Sequence, residues 1–486
     1  MVDTKDKIAH LLRRFGLGCS QPELDSYTRL GVDGAITRLM HYEGVDEDFN
    51  VDPWSFAFVD TKDKVNLDNS RFYSWWANQM VFTNRPLKEN LALFWHNHFA
   101  VSGAKIEYGP TMLGYLEVLR ANANGNFRKL LSSVAHTPAM IQWLDSDSNI
   151  KGKPNENFGR EVMELFTLGV GNYSETDVKE AARSFTGWSV KYSVNFPPHT
   201  TYQEQVRQNV MAERPMFCFC DCPELHDDGF KTILGKRRAY DAEMVFDLLV
   251  QQPAHPKFLM KKMWEWFVYP NPEPAVLDKV CQVYVDNNFE IKPVLMHMAT
   301  CDEFWSDKCE RAVVKSPVSY TIALARQMNL GKSFSTKANM EPGITDPAAG
   351  SLVNMGYFVV NIMQKQGLTL LFPPDVSGWR WGTHWITSAS MMERMRIGDY
   401  FLGQGGVLVG IWTGINEKFK PQTTGDVVDA LAAWFDMPLD EQTKALLVKS
   451  VDASGGMKAF AKQNTANPII RKAFKLMSST PGFQMC

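Results

Sequence analysis

The chain has 486 residues, of which 45% are hydrophobic and 22% charged, with a formal net charge of -3. These are the proportions of a folded globular protein; they exclude long disorder and give no general attraction to nucleic acid or an anionic membrane, so small or neutral partners are expected. No apolar run follows the charges of the N-terminus, none elsewhere reaches the roughly 20 residues of a membrane span, and eight Cys are too few for a disulfide scaffold. The chain as given is therefore read as soluble and cytoplasmic, or as exported if a leader has been trimmed.

Apolar residues recur at helical spacing over 7–15 and 33–42, with Gly-containing turns between them. An aromatic-rich helix is expected over 71–82. Asn84-Arg85-Pro86 then reads as the start of a helix running through Leu91 and Phe94 toward Gly103. Helices over 113–122 and 127–136 follow, and Thr137-Pro138 opens a short one. Residues 151–154 form a loop, and a strong helix over 155–168 is closed by Gly169. Ser174 with Glu175 and Asp177 supplies a cap and an acidic first turn for a helix ending near Gly187.

From 189 to 235 the periodicity changes. Lys191 to Phe196 alternates, Pro and Cys appear, and a small β-containing insertion is predicted. Helices resume over 240–251, 256–268, 274–287, 293–299 and 317–328. The stretch 331–355 reads as a long polar connection, and 368–387 as a loop whose Pro373, Pro374, Trp379, Trp381 and Trp385 suit a cleft wall. The tail after Thr423 is helical. The expected architecture is predominantly α: a large multi-helix domain over 1–400 carrying the insertion at about 189–235, and a C-terminal helical appendage over 401–486.

Three groups of residues carry possible chemistry. In Trp95-His96-Asn97-His98-Phe99 two imidazoles suggest a metal, yet positions two apart on a helix point about 200° from one another and share an ion only if the helix loosens. On a regular helix His98 joins the buried stripe of Leu87, Leu91 and Phe94, as a hydrogen-bonded core histidine, while His96 faces the other way with Glu89. In the 155–168 helix, Asn157, Arg160, Glu161 and Glu164 form one polar stripe, and two carboxylates three apart either hold a metal or divide acid and base roles. A solvated face stabilised by Glu156, Arg160 and Glu164 pairs is the competing interpretation. The turn His226-Asp227-Asp228-Gly229 either presents ligands or is an exposed hairpin turn. Upstream, Cys218, Cys220 and Cys222 would share one strand face, but the two-residue gap usual between zinc-binding Cys is absent. Glycine-rich phosphate loops and a Ser nucleophile elbow are missing, which removes the commonest NTPase, dehydrogenase and hydrolase readings in their standard forms.

Seven phrases in order resemble the bacterial family known as domain of unknown function number 1800. They are Ala9 to Gly16; Trp95-His96-Asn97-His98-Phe99; Pro154-Asn155-Glu156-Asn157 through Thr167-Leu168-Gly169; Phe185-Thr186-Gly187-Trp188; His226-Asp227 with Gly229 and Lys231; Lys315-Ser316-Pro317-Val318; and Pro373-Pro374 with Gly378-Trp379. The resemblance spans most of the chain. It implies a carbohydrate-related setting, since relatives carry carbohydrate-binding companions and many look exported. Many relatives have His where this chain has Phe166, and the Cys218 to Cys222 run lies outside the family pattern.

Together these features give the expectation of a metal-dependent enzyme, hydrolytic in type. Its divalent ion would be held by His96, His98, Glu161, Glu164 and His226, with Glu156 or Asp227 as general base and Arg160 positioning an anion. Asn157, Lys315 and Trp379 are the expected substrate contacts. Two alternatives stand beside it: a helical di-iron redox protein, for which Glu161-x-x-Glu164 replaces the needed Glu-x-x-His, and a non-catalytic module that grips glycan or peptide with its Trp-rich loop.

Overall fold

The computed structural model describes residues 3–56, 58–59, 65–66, 69–195, 215–330, 347–402, 407–460 and 463–486, with 197–198, 200–201, 204–205, 208–209 and 212. Among them the chain is predominantly helical. Helices α1 (Thr4–Arg14), α2 (Gln21–Thr28) and α3 (Gly31–Met40) open the fold. The weakly periodic α2 escapes the sequence pattern, but Ser20 and Glu23 start it with a reciprocal cap. A minimal hairpin, β1 (Phe58–Val59) with β2 (Val65–Asn66), precedes α4 (Asn69–Phe82) and α5 (Pro86–His98). Then come α6 (Gly109–Ala121), α7 (Phe127–Ala135) and α8 (Pro138–Trp143).

Helix α5 is the axis of this half. Every residue from Glu89 to His96 is buried, so both faces of the helix meet protein. Two of its polar members are satisfied: Glu89 accepts from Arg120 at 2.8 Å and from Trp76 Nε1 at 2.9 Å, and Asn90 Nδ2 donates to the carbonyls of Arg14, Phe15 and Gly16 at the end of α1.

The predicted 155–168 helix is two structures in series: α9 (Asn157–Glu161) and a π-helical turn, Val162–Thr167. Helix α10 (Glu175–Ser184) follows, capped by Ser174 with Asp177 as the sequence indicates. The insertion consists of two hairpins, β3 (Trp188–Tyr192) with β4 (Phe217–Asp221) and β5 (Lys231–Ile233) with β6 (Lys236–Arg238). Leu234 and Gly235, both at positive φ, make the tight turn of the second.

Next come α11 (Ala242–Val250), α12 (Ala254–Phe267), α13 (Pro274–Asp286), α14 (Ile291–Thr300) and α15 (Pro317–Gln327), close to their predicted bounds. The expected 331–355 connection is corrected in its second part. Residues 331–346 lie outside the described residues, but 347–355 begin α16 (Pro347–Lys365), started by Pro347. Helix α17 (Ser388–Leu402) has no counterpart among the expected elements; α18 (Val407–Phe419), α19 (Thr424–Trp434), α20 (Glu441–Asp452), α21 (Gly456–Phe460) and α22 (Gln463–Ser478) lie in the stretch expected to be helical.

The ends of the chain are joined by polar contacts. Arg13 donates to both carboxylate oxygens of Asp436 at 2.6 Å and to Glu310 at 2.8 Å. Cys486 pairs with Val313 through backbone bonds of 2.8 and 3.1 Å, and its sulfur accepts from Arg14. Among the described residues no helix is long and apolar enough to cross a membrane.

Helix α16 lies on α4 with little space between them. Ser74 Oγ donates to Val353 O at 2.7 Å, Asn78 Nδ2 donates to Leu352 O at 2.8 Å, and a Cβ at Gly356 would overlap Ser74. Gly356→Val is therefore expected to destabilise by about 1–3 kcal/mol through overpacking, read as a lower urea midpoint. An unchanged midpoint would contradict this packing.

Candidate active site

The π-helical turn ends in a buried place. Phe166 and Thr167 are 1% and 0% exposed, so their carbonyls, free at a helix C-terminus, have no water to turn to. Two imidazoles from different helices take them: His98 Nε2 donates to Phe166 O at 3.1 Å, and His255 Nδ1 donates to Thr167 O at 3.1 Å. The remaining ring nitrogens accept, Nδ1 of His98 from Lys262 Nζ and Nε2 of His255 from Tyr284 Oη, each at 2.9 Å. Each donor and acceptor set fits a neutral imidazole. Burial holds both below the ordinary histidine range, His255 at about 4 and His98 well down, with the Lys262 charge adding to the effect at His98. Burial likewise brings the Lys262 amine down to about 8.

Widening the helix turns its later side chains away from the stripe that an α-helix would keep. Arg160, in α9 ahead of the widened turn, makes a two-pronged pair with Glu175 of α10, both bonds 2.6 Å, with Glu156 3.6 Å away. Its expected role of holding an anion is corrected to that of a strap between α9 and α10. Gly159 allows the approach, since a Cβ there would lie 3.1 Å from the Ala182 nitrogen. Asn157 is exposed, and its backbone nitrogen donates to Asn155 Oδ1.

Glu161 and Glu164 are left together, both half-buried. Glu164 accepts from the Tyr173 hydroxyl, whose own ionisation is pushed up by burial and then by that bond. Among the described residues Glu161 has neither an ion pair nor a hydrogen bond from its carboxylate. Burial first, and the Glu164 charge second, raise it above the ordinary carboxylate range.

The other expected site residues stand elsewhere. His226 Nδ1 donates to Thr186 O at 2.9 Å, leaving Nε2 as an acceptor, and Asp227 N donates to Thr186 Oγ1 at 2.8 Å. Asp227 accepts from Arg183 at 2.8 and 3.2 Å and from the Gly229 nitrogen, and the Arg183 bond draws its carboxyl down to about 2. So weak a base does not suit the general-base role; the residue anchors a turn. The turn nonetheless folds onto the 185–188 phrase through Thr186, and Gly187 and Asn155 both meet Asn149.

His96 is fully buried, with ring centroids of Trp379, Tyr115 and Trp76 5.0, 5.5 and 5.8 Å away and, among the described residues, no hydrogen-bond partner at either nitrogen. Burial lowers it to about 4. Trp379 is 8% exposed, and its backbone nitrogen donates to Asn97 Oδ1 at 2.6 Å, so the expected substrate platform is an inner wall. Lys315 is also withdrawn from substrate: its amine, brought to about 7 by burial, donates to Phe483 O at 2.9 Å. The five expected metal ligands do not converge. His98 has both nitrogens engaged, His96 is sealed among aromatic rings, and His226 sits on Thr186. Among the described residues no three His, Cys, Asp or Glu side chains form a group able to hold an ion. His255, Lys262 and Tyr173, which organise the π-turn, lie outside the motifs and were not found from the sequence.

A large α-helical protein with a buffered π-turn and a carboxylate pair is the class these features define. The family model for protein of unknown function (DUF1800) matches residues 10–485, and the chain belongs to that family. No curated protein and no solved structure matches it.

The buried histidines set a pH dependence. His96, His98 and His255 bind protons more readily when unfolded, near the ordinary 6.5, than when folded. Their neutral burial therefore supports the fold fully above about pH 6.5, and that support is lost as pH falls toward 4. The melting temperature is expected to drop from pH 7 to pH 5, and His96→Phe, which removes an unsatisfied imidazole of similar shape, to flatten the slope. An equal slope in the variant would show that His96 is not neutral in the folded state.

Proposed function

We propose that this chain is a hydrolytic enzyme that cleaves glycosidic bonds by acid–base chemistry at Glu161 and Glu164. One observation carries the reading: a half-buried carboxyl, Glu161, stands beside a second carboxylate, and burial and that neighbour raise it more than Arg160, paired with Glu175, lowers it. Two neighbouring carboxyls whose surroundings push them apart divide into acid and base. Glu161, the raised one, delivers a proton to the leaving oxygen. Glu164, oriented by the Tyr173 hydroxyl, receives the proton of the attacking water or stabilises the sugar cation. The glycan class rests on the family resemblance. The donor set expected for a metal does not fit, so no step runs through an ion.

The test is release of reducing ends from a panel of polysaccharides, with and without added Mg2+ or Mn2+. Glu161→Gln is expected to lose about 10²–10⁴-fold on natural glycans and to recover much of that on an aryl glycoside with a good leaving group, which needs no acid. Removing a half-buried charge also leaves the variant at least as stable as the parent at pH 8, because a raised carboxyl costs stability above its unfolded pKa. Equal activity of variant and parent on natural glycans, or no release from any member of the panel, would contradict the reading.

A further inference from the structure

The hairpin of β3 and β4 carries a second chemical feature, independent of the carboxylates. Cys220 and Cys222 hold their sulfurs 3.7 Å apart, both half-buried. Regular strand geometry places residues two apart at the outer limit for sulfur–sulfur bonding. Here the chain leaves the strand at Cys222, with φ -113° and ψ 88°, and the two side chains turn toward one another. Cys222 is fixed in place: its nitrogen donates to Gly187 O at 2.8 Å, its carbonyl accepts from the Leu225 nitrogen at 2.9 Å, and Gly187 (φ 91°) has no room for a Cβ against Cys222 O. Cys218, on the same strand face opposite Lys191, is hydrogen-bonded to neither. Four other cysteines, Cys19, Cys281, Cys309 and Cys486, are buried.

We propose that Cys220 and Cys222 form a dithiol centre that exchanges with accessible disulfides. The Cys222 thiol is raised chiefly by its hydrogen bond to Cys220, which assigns Cys222 to the second step. The Cys220 thiolate attacks one sulfur of a substrate disulfide, forming a mixed disulfide and expelling one thiolate. Cys222 then loses its proton and attacks Cys220, expelling the second thiolate and closing the Cys220–Cys222 bond. Two electrons pass to the substrate, and the two protons of the dithiol leave with the two product thiols. The resulting bond spans a small ring and is readily reduced again by a thiol.

The full chain, reduced and freed of reductant without oxygen, is treated with oxidised glutathione and followed by intact mass and peptide mapping. The parent and Cys218→Ser are expected to lose two hydrogens, with the bridge mapped to Cys220 and Cys222. Cys220→Ser and Cys222→Ser are expected to form no bridge, and Cys222→Ser to stop at a single glutathione adduct. A parent that keeps glutathione adducts without a bridge, or a bridge that includes Cys218, would overturn the proposal.

Discussion

The carbonyls of Phe166 and Thr167 decide the geometry of this protein's centre. They end a helical turn inside the core, and each would cost about 1–3 kcal/mol if buried bare. His98 at the end of α5 and His255 at the start of α12 meet that need, and both must stay neutral to do so while accepting from Lys262 and Tyr284. Three helices and a π-turn are thereby held by four hydrogen bonds to two rings. Phe127 closes the space between them, its ring 4.9 Å from His255 and 6.1 Å from His98.

The arrangement on the outer side follows from this anchoring. The π-turn carries Glu164 and the end of α9 carries Glu161, both half-buried, while Arg160 pairs with Glu175 and Glu164 accepts from Tyr173. Wider turns recur at functional places for this reason: they re-aim side chains without breaking the helix.

Much of the fold was legible because its signals are local. Ser174 with Asp177, Pro86, Pro274 and Pro317 mark helix starts, and the change of period after Trp188 marks the hairpins. The wheel argument separated His96 from His98 correctly, and the second proved to be a hydrogen-bonded core residue. What sequence reasoning missed is set by distant partners. An α-turn and a π-turn use the same residues, and here Phe166 O and Thr167 O accept from His98 and His255, partners distant in the sequence. Likewise nothing in the text around Asp227 shows that Arg183 lowers it, or around Lys315 that Phe483 receives its amine. Trp379 and Trp385 suggested an open cleft wall because loops are usually exposed, yet both rings face inward.

The central claim is that Glu161 is a carboxyl displaced from its ordinary range by burial and by Glu164. Infrared difference spectra of the parent against Glu161→Gln, recorded through a pH titration, isolate that one carboxyl. The account predicts a protonation midpoint above the ordinary 4.5, moving down in Glu164→Gln as the neighbouring charge is removed. A midpoint at or below 4.5 in the parent, or one indifferent to Glu164, would contradict it.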